Sequence, residues 1–77
     1  TNKYSTMLKD IVVSIQPAQN IVIVRTIAAS ASTAAAFIDQ QNIIEILGTI
    51  AGDDTLFIAT KSSEDAIKVA NQVKALF

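Results

Sequence analysis

The chain has 77 residues, 51% of them hydrophobic and 17% charged, with a net charge of −1 and a mean hydropathy of +0.43. This length admits one small domain and excludes two, and the lack of cysteine excludes a disulfide framework and a thiolate metal site. The six basic residues, Lys3, Lys9, Arg25, Lys61, Lys68 and Lys74, never form a run, so this chain has no footprint for gripping a phosphate backbone unaided. No apolar run reaches the ~18 residues of a membrane helix and no signal peptide is visible, so a cytoplasmic location is expected. A domain this small hides only ~60% of the surface that its unfolded chain exposes. Half its residues are nonetheless apolar, and part of that apolar surface is expected in a subunit interface.

Thr1 to Met7 is polar and reads as a linker or arm. From Leu8 to Gln16, Ile11, Val13 and Ile15 share one parity, the pattern of a half-buried strand. Gln16 to Asn20 is expected to break it, because Pro17 has no N–H for a ladder and Asn20 suits a turn. Ile21 to Val24 is apolar on both parities and reads as a strand covered on both faces. From Ser30 to Gln41 the period becomes helical, with Ala31, Ala34, Ala35 and Ile38 on one face. Ser30 or Ser32 is placed to cap this helix and Asn42 to end it. Phe37 lies off the stripe and is expected to face a partner.

Ile43 to Ala51 and Thr55 to Thr60 read as a hairpin. Ser62 and Asp65 have the spacing of a capping box. The helix they open carries Ala66, Val69, Ala70, Val73 and Phe77 as a core-facing stripe. The fold class is therefore α+β, in the order β-β-α-β-β-α: a two-layer sandwich with a four-stranded antiparallel sheet and both helices on one face. The sheet's uncovered face remains partly apolar, which again points to association. The two β-β-α halves resemble each other in outline.

The stretch with chemical character is Gly48-Thr49-Ile50-Ala51-Gly52-Asp53-Asp54-Thr55. Glycine would supply a positive φ for the hairpin turn, and one aspartate could close an Asx-turn. A second aspartate beside the first adds only repulsion, and no lysine or arginine lies near in sequence to offset it. Three readings remain open at this point. The pair solvates a turn; it joins Asp39 around a divalent metal; or it holds a guanidinium or ammonium ligand. Calcium loops need several oxygens at alternating positions, which an adjacent pair does not supply. A guanidinium presents five donors in one plane, which carboxylates match by paired, charge-assisted bonds. Without histidine or cysteine the commonest general base and the thiol nucleophile are missing, and an enzyme is not expected.

The octapeptide resembles the signature of the arginine repressor family's C-terminal domain, and the likeness in element order covers nearly the whole chain. The resemblance implies a domain that trimerises, pairs trimers into hexamers and binds L-arginine between them as co-repressor. In a full-length regulator, operator DNA would be read by an upstream winged-helix domain that this chain does not contain. By the same resemblance, Asp53 and Asp54 hold the guanidinium, Thr49 and Ala51 offer backbone contacts to the amino-acid end, and Asp39 meets the α-amino group. The chain departs from the family in the loop after the second strand. Ile27 to Ser32 lacks the family's Pro-Gly pair, and Ser32 stands where a glutamine is usual. Losing one good bond to a charged group would weaken the hold on the amino-acid end by ~1.5–3 kcal/mol, one to two decades in affinity. Set against the family, Ser32 leaves one alternative, an oligomerising paralogue with weak or lost arginine sensing; the residues themselves leave another, a metal-binding module or small metal-dependent enzyme on Asp53 and Asp54.

Overall fold

The computed structural model describes residues 8–77, so the expected arm at Thr1 to Met7 lies outside the described residues. The strands are β1 (Val12–Ala18), β2 (Ile21–Thr26), β3 (Gly48–Ala51) and β4 (Thr55–Ala59), and the helices α1 (Ala31–Gln40) and α2 (Ser63–Leu76). Together they run β-β-α-β-β-α in one sheet of order β1-β2-β4-β3, with every pairing antiparallel. Val22 and Val24 of β2 pair with Ile58 and Leu56 of β4 and turn to the face that the helices cover. Ala31, Ala34, Ala35 and Ile38 of α1 and Ala66, Val69, Ala70 and Val73 of α2 complete this core. Alanines at the contact let each helix lie close on the sheet, and the buried β-branched residues stack on its pleats.

The end of α1 and the start of α2 follow from their sequences. Asn42 takes a left-handed φ of 53° just beyond α1, the conformation that closes a helix C-terminus. Ser62 Oγ accepts the Asp65 N–H at 3.1 Å, and Glu64 and Asp65 occupy the first turn of α2, where the helix dipole favours negative charge. Buried Thr60 ties the end of β4 to the β1–β2 turn: its hydroxyl shares its one proton between the Asn20 carbonyl (2.8 Å) and the Ser62 carbonyl (2.9 Å).

Several boundaries differ from the sequence reading. The first strand begins at Val12 and continues through Pro17 to Ala18, because β1 is an edge strand, one of the few places where a proline fits in a sheet. A bulge between Val12 and Ser14 breaks the parity: Val12 and Ile15 pack on the core, whereas Val13 turns out and is 67% exposed. Ile43 to Leu47 is not strand. The Ile46 N–H bonds the Ile43 carbonyl, and the resulting turn tucks both isoleucines against the core while Ile44 stands in solvent. Phe37 faces inward, its ring edge-on to Phe77 with centroids 5.6 Å apart.

Within one chain, β2 is covered on one face only. Ile21 and Ile23 are half-buried. Ile23, Phe57 and Ile50 form a row across β2, β4 and β3 on the open face, with Phe57 51% and Ile50 78% exposed.

Candidate functional site

The β3–β4 turn carries Asp53 and Asp54, and its own geometry is closed by the Gly52 N–H, which donates to the Thr55 carbonyl at 2.8 Å. No described glycine has a positive φ, so Gly52 is not there for its backbone freedom. The turn is instead held from outside, by the connection between β2 and α1. The Thr26 N–H donates to the Asp54 carbonyl (2.7 Å) and the Ala31 N–H to the Asp53 carbonyl (3.1 Å). The Ala29 N–H donates to Asp53 Oδ2 (3.2 Å), so that carboxylate binds a distant loop rather than closing an Asx-turn on its own backbone.

These bonds also explain how α1 begins. Ser30 occupies the N-cap position, yet its hydroxyl donates to the Ala28 carbonyl and makes no cap bond. The Asp53 carbonyl instead accepts from the first amide of the helix, one of the four N-terminal donors that have no intrahelical partner. Ser32 follows in the first turn of α1 and is exposed.

Asp54 has a basic neighbour that its sequence surroundings hide. Arg25 Nη2 lies 3.7 Å from Asp54 Oδ2, across the sheet from β2, and the Thr55 hydroxyl donates to Asp54 Oδ1 at 3.0 Å. The expectation of an unneutralised pair is thus corrected. The offset is weak, however, because both side chains are about half exposed and a loose surface pair is worth at most about 1 kcal/mol.

Asp39 belongs to a second cluster. The Thr49 hydroxyl donates to both its oxygens, at 3.0 and 3.2 Å, which joins the last turn of α1 to β3. Asp39 also rims a shallow cavity whose walls are Ile38, Asn42, Ile43, Ile46, Leu47 and Gly48. Ala51 lies between the clusters, half-buried against the core. The structure therefore brings Asp39 to Thr49, and Asp53 and Asp54 to the start of α1, but does not bring the two groups together. Ala31 and Asp39 bracket the length of the helix, a separation of ~12 Å at the α-helical rise. Arg25 and Ala29 are the members that sequence reasoning missed. The alternation of β2 against β4 was the signal for Arg25, whereas nothing local marks the Ala29 amide as a donor to Asp53.

Residues 8–75 match the family model described as "Arginine repressor, C-terminal domain". The chain belongs to the arginine repressor family. Among curated relatives named arginine repressor, that of Caldicellulosiruptor saccharolyticus is 43% identical over 76 residues, covering 99% of this chain and 50% of the relative. That of Caldicellulosiruptor bescii is 45% identical over 76 residues, with the same coverage, and that of Clostridium tetani 39% identical over 74, covering 96% and 48%. The chain spans about half the length of these arginine repressors. Among the described residues no three metal-ligating side chains converge on a point, and no helix is long and apolar enough to cross a membrane.

Proposed function

We propose that this domain is the L-arginine-sensing oligomerisation unit of a cytoplasmic transcriptional regulator of arginine metabolism. Copies form trimers, trimers pair, and arginine binds where they meet. Asp53 and Asp54 receive the guanidinium, Asp39 the α-amino group, and Thr49, Ala51 and Ser32 line the amino-acid end. The observation that carries this reading is the hairpin tip of a family member, where two adjacent aspartates are held through their main-chain carbonyls by the Thr26 and Ala31 amides and the Asp53 carboxylate by the Ala29 amide. Adjacent carboxylates on a tip fixed in that way match the planar donors of a guanidinium. Assembly is supported by the open sheet face, where Ile50 and Phe57 remain in water. Operator DNA would be bound by a part of the regulator outside this chain.

Linkage supplies the mechanism. A ligand that binds only between copies stabilises the assembled state, by about 2.7 kcal/mol at a hundred times its Kd. Carboxylates from facing tips repel, and a bound guanidinium relieves that repulsion. Calorimetry with arginine tests the site: heat is expected with the wild-type chain and almost none with Asp54→Ala, and equal heats would remove the reading. Sedimentation with and without arginine tests the linkage. A hexamer indifferent to arginine would favour the second reading, a paralogue that assembles without sensing. That reading draws on Ser32, whose short side chain stands exposed in the first turn of α1.

A further inference from the structure

Ala29 is an L-residue in the left-handed region, at φ 62°, in a loop exposed to solvent. That conformation crowds Cβ against the following carbonyl and persists only where surrounding contacts over-determine it. Here the bonds to residue 29 and to the first amide of the helix come from the hairpin tip. The Ala29 N–H meets Asp53 Oδ2 at 3.2 Å, and two residues on the Ala31 N–H meets the carbonyl of the same aspartate at 3.1 Å. The Ser30 hydroxyl, bonded to the Ala28 carbonyl, braces the loop from within.

We infer that residue 29 is a positioning residue for the guanidinium site: its strained backbone aims an N–H at Asp53 and thereby fixes the orientation of that carboxylate. The inference rests on the arginine-binding reading above. An exposed aspartate at a turn samples several rotamers, and a ligand must freeze one of them on binding. With Oδ2 already engaged by the amide, Oδ1 keeps its lone pairs for the incoming guanidinium, and the ordering cost is met before the ligand arrives. Freezing one such side chain in advance is worth about three- to tenfold in affinity. The device depends on the backbone at residue 29 and on no property of the alanine methyl group. Glycine reaches the same φ without strain, a β-branched residue is a true outlier there, and proline has neither the φ nor the N–H.

Two measurements on the 77-residue chain test this. The first is amide hydrogen exchange: the residue 29 N–H is expected to be protected in the wild type and to exchange freely in Asp53→Ala. Equal exchange in the two would overturn the inference without touching the arginine reading. The second is arginine calorimetry on variants of residue 29. Ala29→Val and Ala29→Pro are each expected to bind arginine about three- to tenfold more weakly, and Ala29→Gly, which restores the backbone geometry, within about twofold of wild type. Wild-type affinity in both Val and Pro variants would overturn the positioning role while leaving the site intact. No heat from the wild-type chain would remove the site itself, and with it this role. If Ala29→Pro fails to fold, as circular dichroism would reveal, the Val and Gly variants and the exchange measurement still decide.

Discussion

Replacing Ile50 by threonine separates the fold of one chain from the assembly of several. Threonine is β-branched, so β3 keeps its strand preference, and the change falls on the open face, opposite Phe57. Ile50 is 78% exposed, so the isolated chain gains almost nothing from it. In a trimer that buries this face the exposed part would leave water. The substitution removes two carbon groups worth about 0.8 kcal/mol each, and scaling by the exposed fraction leaves about 1.2 kcal/mol per copy. Three copies lose about 3.5 kcal/mol, or roughly two and a half decades in the trimer association constant. Sedimentation equilibrium over a dilution series reads that constant, and urea melts below the dissociation concentration read the single chain. The expected pair of results is a large loss of association with a change in monomer stability under about 0.5 kcal/mol. An unchanged association constant would refute the assignment of this face to assembly. A monomer weakened as much as the trimer would refute the burial argument.

Thr60→Val keeps the shape of a buried side chain and deletes the hydroxyl that serves the Asn20 and Ser62 carbonyls. A cost of about 1–2 kcal/mol is expected, seen in a thermal melt as roughly 4–8 °C per kcal/mol for a domain of this size. Asp39→Asn retains an oxygen to accept the Thr49 hydroxyl, so the melt should barely move, while arginine affinity measured by calorimetry should fall at least tenfold if the charge meets an α-amino group. Ser32→Gln restores length in the first turn of α1 and is expected to tighten arginine binding by one to two decades, at ~1.5–3 kcal/mol for one bond to a charged group. Unchanged binding would show that position 32 does not reach the ligand.

What the sequence revealed was periodicity. The alanine stripe of α1 and the valine–alanine stripe of α2 are regular patterns that only a helix against a layer can satisfy, and both lie where expected. Asn42 and Ser62 marked helix ends because their side-chain and backbone preferences act locally. Position-specific events defeated the pattern. One inserted residue at Val13 exchanged the faces of β1, and the spacing of Ile43 and Ile46, three apart, belonged to a turn where strand alternation was expected. At the candidate site the adjacent aspartates were plain, but their partners were not. Arg25 and Ala29 lie more than twenty positions away, and which amide faces which carboxylate depends on how the hairpin docks on the β2–α1 loop.

The sheet's central ladder has a consequence for how the chain reaches this form. β1 meets β2, and β3 meets β4, across short turns, whereas β2 meets β4 through pairs such as Ile21 with Ala59 and Arg25 with Thr55. The helices cross the same divide, α1 of the first half packing on β3 and β4 and α2 of the second half on β1 and β2, so the ladder and the exchanged helices together make the halves one molecule. The entropy of closing that span falls on these long-range contacts, which the topology predicts to form after the two local hairpins. Until they form, β2, with its Ile-Val-Ile-Val run, and β4, with Leu-Phe-Ile, each show an unpaired apolar edge that the matching strand of a neighbouring copy can fill.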